Sequence, residues 1–199
     1  EAIGSINPEQ DVEVIQIAYR IYQMLGIKDL EVNINSIGSQ RSRSRFIESL
    51  IDYLSPYKNE LSDISQRRLK TNPLRILDSK SKKDIKILME APLISDFLTK
   101  EDISTFNKIQ ELLDALTIPY TINTNLVRGL DYYNGMTFEI TTNSIGAQSA
   151  LCGGGRYDKL VEFLGGKPTP AVGFAAGMER LMLILEKNST SIENHIDIY

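Results

Sequence analysis

From Asn7 to about Leu25 apolar residues recur at helical spacing, with Val12, Ile15, Tyr19 and Tyr22 on one face. Asn7 reads as the N-cap, Pro8 as the first helical residue and Gln10 as the closing residue of a capping box, while Gly26 ends the helix. Glu31-Val32-Asn33-Ile34-Asn35 then alternates polar with apolar, the pattern of a half-buried strand. From Ser36 to about Tyr120 the texture is helical and charged, with stripes at Ile47, Leu50, Ile51 and Leu54 and at Phe106, Ile109, Leu113 and Leu116. This stretch reads as a helical insertion.

Beyond Pro119 strands and glycines return. Tyr120-Thr121-Ile122 and Leu126-Val127 have strand propensity, and Asn134-Gly135 signals a tight hairpin before Thr137-Phe138-Glu139-Ile140-Thr141, so antiparallel pairing is expected. Ala150-Leu151-Cys152 reads as a short buried strand running into Gly153-Gly154-Gly155. A helix carrying Leu160, Val161, Phe163 and Leu164 follows and stops at Gly165-Gly166. Pro170 to Gly177 is a strand of small residues that leads into an apolar helix from Met178.

The chain has 199 residues, 42% of them hydrophobic, enough for one domain with an insertion and a real core. A net charge of -4 gives no overall attraction to nucleic acid, so any such contact has to come from local basic clusters. One cysteine, Cys152, excludes an internal disulfide, and no apolar run approaches the ~20 residues of a membrane span, so a cytoplasmic protein is expected. There is no initiator methionine, and Glu1 opens within a strand-to-turn passage, which suggests a piece of a longer protein.

The candidate chemistry rests on arginines. Arg128, between Val127 and Gly129, would carry a large desolvation cost in a buried strand unless a structural carboxylate or an anionic ligand met it. Arg180 stands in the first turn of the last helix, where a cation opposes the helix dipole; an anion at the helix start, or a salt bridge to Glu179 or a neighbouring strand, would explain it. Arg41, Arg43 and Arg45, and later Arg67, Arg68, Lys70 and Arg75, form basic clusters that read either as a phosphate-facing surface or as an ordinary solvated face. The only histidine is His195, so neither a histidine triad nor a histidine-rich metal site can be assembled. The glycine triplet is not a phosphate-binding loop, because no Gly-Lys-Ser/Thr follows it.

Arg-Gly-Leu-Asp-Tyr-Tyr at 128–133, Gly-Gly-Gly-Arg-Tyr-Asp at 153–158 and Gly-Met-Glu-Arg at 177–180 resemble, in order and spacing, the histidyl-tRNA synthetase family. The first two blocks look like its histidine-specific segments and the third like motif 3 of class II synthetases. The resemblance implies an α+β fold, a class II antiparallel sheet flanked by helices, with the N-terminal part of the domain missing. It implies catalytic-domain segments at 1–35 and 121–187, the helical insertion at 36–120, and at 188–199 a linker with the start of an anticodon-binding domain.

It also implies ATP-dependent ligation of histidine to its tRNA through a histidyl-adenylate, with Mg2+ accompanying ATP, no metal held by protein side chains, and a homodimeric parent. Arg128 would hold the histidine carboxylate and the α-phosphate as the catalytic cation. Tyr132, Tyr133 and Tyr157 would line the histidine pocket, Gly173 would leave space for it, and Glu1 would accept an imidazole N–H. Arg180 would contact ATP, while Arg41 and Arg43 would face the tRNA. The front of motif 2 and all of motif 1 would precede Glu1, so the isolated chain is expected to make little adenylate. A catalytically inactive paralogue, serving as a histidine-biosynthesis regulatory subunit or a tRNA sensor, and a nucleotide-binding scaffold are the competing readings.

Overall fold

A computed structural model describes residues 1–143 and 150–188 of the chain. The expected helix is α1, Pro8–Met24, with Asn7 at its N-cap and Pro8 in its first turn. The Asn7 side chain makes no capping bond, and Gln10 turns to Glu13 instead of closing a capping box. At the other end Gly26 takes φ +70°, and the Ile27 amide reaches back to the Tyr22 carbonyl, closing the helix in the way a glycine permits.

Six strands form one sheet among the described residues: β1 (Ala2–Ile3), β2 (Leu30–Ser36), β3 (Tyr120–Ile122), β4 (Asn134–Thr142), β5 (Ala150–Arg156) and β6 (Ala171–Ala176), in the order β1-β6-β5-β4-β2-β3. All neighbours are antiparallel except β2 and β3, so the expected antiparallel sheet carries one parallel pair at its edge. The chain between them is long enough to return to the starting end of β2, which parallel pairing requires.

Two other local expectations fail for tertiary reasons. Asn134-Gly135 makes no hairpin. Gly135, at φ +60°, bonds through both backbone groups to the chain leaving β2, donating to the Gly38 carbonyl and accepting from the Ile37 amide. The register between β4 and β5 shifts between Asn134 and Thr137, so the Asn-Gly pair marks a bulge. Leu126-Val127 is loop, because the Asn35 amide captures the Thr124 and Leu126 carbonyls.

Between β2 and β3 lie α2 (Gln40–Leu54), α3 (Asp63–Thr71), α4 (Lys82–Leu88) and α5 (Lys100–Ala115), with 3-10 turns at Pro73–Ile76 and Ile94–Phe97. The first three helices and the turns share their own core around Phe46, Leu50, Leu54, Leu69, Leu74 and Ile76. Asp84 is fully buried there and accepts from the Ser62 amide and from the hydroxyls of Ser62, Ser65 and Ser79. Helix α5 instead sends Ile109 and Leu113 into the sheet's core beside α1. Its Asp102 binds the amides of Ser39 and Thr99 and the Ser42 hydroxyl, so one carboxylate ties the entrance of this segment to its exit.

Strand alternation sorts the sheet into two faces. A short helix, α6 (Leu160–Phe163), separates β5 from β6; Val32, Ile34, Phe138, Ile140, Cys152 and Val172 meet α1 and α5 on one face, together with Ile184 of the last helix, α7 (Met178–Asn188). At the edge of this layer Arg156 and Asp11 are both buried, and their ion pair is 2.6 Å long. Asn7 and Ser5 carbonyls and Asp158 take the remaining guanidinium donors, so the pair carries the hydrogen bonds that buried charges need.

Candidate functional site

The other face is where the site forms. The register Thr137↔Gly155↔Gly173 and Glu139↔Gly153↔Ala175 leaves a strip of glycine and alanine across β5 and β6, bordered on β4 by Thr137 and Glu139. The three glycines continue β5 as strand, and one of them makes the approach of a cation possible. A Cβ built on Gly153 would lie 2.3–2.5 Å from Nη2, Nη1 and Cζ of Arg128, so the guanidinium rests directly on the glycine.

Arg128 therefore stands over the sheet on an irregular loop, and not within a strand as its apolar neighbours suggested. Its structural carboxylate is Glu139, with Nη1 3.2 Å from Oε1 and the two side chains 24% and 29% exposed. Nε is buried and has no partner among the described residues. Its donors are thus only partly satisfied, and it borders a cleft of about 370 Å³ walled also by Arg75, Lys80, Asn123 and Glu139. Alternation along β4 was the available signal for Glu139, since it puts this residue opposite Phe138 and Ile140.

Beside Arg128 three tyrosines converge. The rings of Tyr132 and Tyr133 lie 4.7 Å apart, and Tyr157 meets them edge-on at 5.8 and 6.1 Å. Tyr157 donates a hydrogen bond of 2.9 Å to Glu1 Oε1. A Cβ on Gly173 would sit 2.9 Å from both the Tyr157 hydroxyl and Glu1 Cγ, so this glycine makes room for the pair. Burial, reinforced by Tyr132, pushes the Tyr133 hydroxyl up to about 12, and burial followed by Glu1 raises Tyr157. Both phenols remain protonated donors at neutral pH. Glu1, Tyr132, Tyr133, Tyr157, Gly173 and Arg128 are thereby brought together.

Arg180 is placed elsewhere. It starts α7, and its Nη1 donates to the Ala150 carbonyl at 2.5 Å, at the far end of β5 from Arg156 and Tyr157, rather than pairing with Glu179. Arg41 is exposed on α2. Arg43, expected beside it on the surface, is only 8% exposed. Its Nη1 donates to the Asp131 carbonyl at 2.8 Å and its Nη2 lies 3.4 Å from Oδ1 of the same residue. The helical period explains the difference: Arg43 shares the stripe of Phe46, Leu50 and Leu54, whereas Arg41 does not. Cys152 lies on the core face, with its thiol pushed up to about 11 by burial, and serves as a packing residue. His195 and Ile196-Asp197-Ile198-Tyr199 lie outside the described residues.

Comparison with known proteins agrees with this geometry. The model of the family described as histidyl-tRNA synthetase matches residues 1–181. The histidine–tRNA ligase of Streptococcus pyogenes serotype M28 is 49% identical over 201 residues, which cover 100% of this chain and 47% of that protein. The crystal structure of apo S. aureus histidyl-tRNA synthetase superposes with a TM-score of 0.77 at 39% identity, covering 98% of this chain and 48% of that one. A Bacillus halodurans structure titled as an ATP phosphoribosyltransferase regulatory subunit/histidyl-tRNA synthetase, at 22% identity and TM-score 0.60, shares the fold. The chain spans about half the length of the curated relatives it matches. With its motifs, mixed sheet and family match taken together, the chain belongs to the histidyl-tRNA synthetase family.

Proposed function

We propose that this segment provides the histidine-selecting half of an active site that ligates histidine to its tRNA through an adenylate. The observation that carries the reading is the Arg128 guanidinium, paired with Glu139 but with its Nε unpartnered among the described residues, seated on Gly153 next to a cluster of three tyrosines and one carboxylate. A cation beside a small aromatic pocket fits a free amino acid held by its carboxylate. The Glu1 carboxylate, held by the Tyr157 hydroxyl that donates to it, offers an acceptor for an imidazole N–H.

In the first step a carboxylate oxygen of histidine forms a bond to the α-phosphorus of ATP, and the bond to the bridging oxygen breaks. Pyrophosphate leaves with that electron pair. Arg128 would contact the attacking carboxylate and the α-phosphate together, stabilising charge as it builds on the phosphoryl oxygens. In the second step a hydroxyl of the terminal ribose of the tRNA attacks the histidyl carbonyl and AMP departs. Arg180 is assigned to ATP and the exposed Arg41 to tRNA phosphate.

Among the described residues no group of three or more histidine, cysteine or carboxylate side chains is arranged to hold a metal. Mg2+ would accompany ATP on its phosphates. The full-length protein is proposed to be a cytoplasmic homodimer; no helix among the described residues is long and apolar enough to cross a membrane.

Histidine-dependent exchange of pyrophosphate into ATP, by a full-length synthetase carrying this segment, tests the proposal. Arg128→Ala should abolish exchange while histidine binding, measured by calorimetry, is retained through the tyrosine pocket. Exchange by the variant at the unsubstituted rate would refute the role of Arg128.

A further inference from the structure

The loop that carries Arg128, residues 127–133, lies outside helix and strand, and side chains fasten it. Two fasteners come from the sheet and one from the residue after β5: Asn35 holds the Leu126 carbonyl at 3.0 Å, Glu139 holds Arg128, and Tyr157 packs on Tyr132 and Tyr133. Two others come from the helical segment between β2 and β3. The Arg75 guanidinium lies against Gly129, where a Cβ would be 3.6 Å from its Cζ, Nε and Nη2. Arg43 reaches the loop two residues beyond Gly129, binding both the carbonyl and the carboxylate of Asp131. The residues that hold the carboxylate and the imidazole are thus flanked by arginines from a separate core.

Arg43 is costly as a stability device. Its side chain is 9% exposed and its Nε has no partner among the described residues, while its counter-ion Asp131 is 65% exposed and correspondingly screened. A methionine would fill the same helical position without these penalties. What a methionine would lack is a donor for the direct bond to the Asp131 backbone, one residue from Tyr132.

We infer that Arg43 is a positioning residue for histidine, through which the helical insertion sets the posture of the loop bearing Arg128 and Tyr132. The inference rests on the function proposed above. It makes the insertion part of amino-acid selection, a role distinct from contact with tRNA. Loss of the bond leaves Asp131 solvated and the fold intact, but frees the loop to shift by about 1 Å, a displacement that costs on the order of a hundredfold in turnover when it falls on oriented groups.

The test uses a full-length synthetase carrying this segment, with R43M and R43K. For R43M we expect the KM for histidine to rise about tenfold and the exchange rate to fall, with the KM for ATP within about twofold. The melting temperature should stay within about 3 °C, and amides of residues 127–133 should exchange with solvent at least about tenfold faster. R43K keeps a donor for the Asp131 carbonyl and should recover histidine KM to within about threefold of the parent. Unchanged histidine KM together with unchanged amide protection in R43M would overturn the inference. So would equal rises in both KM values with a lowered melting temperature, which mark a merely structural residue. If the parent itself showed no histidine-dependent exchange, the proposed activity would fail, and the amide protection of the loop would still decide the role of Arg43.

Discussion

A single methyl group at Gly153 puts the central contact of the site to the test. The added Cβ would lie 2.3–2.5 Å from three atoms of the Arg128 guanidinium. Carbon contacts become favourable only near 3.5 Å, so the guanidinium has to withdraw by about 1 Å or more. Such a shift carries Nη1, now 3.2 Å from Glu139, out of hydrogen-bond range, and misplaces the cation relative to any bound carboxylate. A misplacement of this size costs on the order of a hundredfold in rate, about 2.7 kcal/mol in the transition state. Stability should scarcely change, because alanine is favoured over glycine in strand interiors by roughly 0.5–1 kcal/mol, which offsets part of the local crowding. Gly153→Ala in a full-length synthetase, assayed by histidine-dependent pyrophosphate exchange, should therefore lose about a hundredfold in kcat/KM while melting within a few degrees of the parent. Combined with Arg128→Ala the substitution should add little, since both act on one contact. Activity within about threefold of the parent for Gly153→Ala alone would refute the reasoning.

Two further outcomes follow from hydrogen bonds elsewhere. Tyr157→Phe removes the hydroxyl donated to Glu1, and should raise the KM for histidine about tenfold with little effect on that for ATP; steady-state titration of each substrate checks this. Burial raises the Asp84 carboxyl, but the Ser62 amide and three serine hydroxyls outweigh it and hold the group below the ordinary carboxylate range. With its folded pKa depressed, the stability Asp84 contributes is present above pH ~4 and lost as pH falls through the folded value. Asp84→Ala should destabilise the insertion by on the order of 3 kcal/mol at pH 7, a gap that narrows toward pH 3 in urea unfolding followed by circular dichroism. A gap that stays constant across this range would contradict the account.

Much of the fold was legible because its determinants are local. The helix at Pro8–Met24 follows from Pro8, the spacing of Val12, Ile15 and Tyr22, and Gly26. The strand Leu30–Ser36 follows from the alternation of Glu31, Val32, Asn33 and Ile34. Asn134-Gly135 misled because a residue tolerating positive φ suits a hairpin and a bulge equally, and only the approach of Gly38 selects the bulge. The sense of β3 was hidden in the same way, since strand propensity carries no direction.

By itself the sequence determined the elements, the family motifs and the presence of an arginine that needed an anionic partner. The pairing of charges was decided by tertiary structure alone. Arg128 meets Glu139 across 11 residues of sequence, and Arg43 meets Asp131 across 88. The helical stripe turns Arg43 inward but does not say which distant loop it meets. Burial and partner choice depend on what the rest of the chain brings against that stripe, and this is why Arg43, expected at the surface, is buried against Asp131.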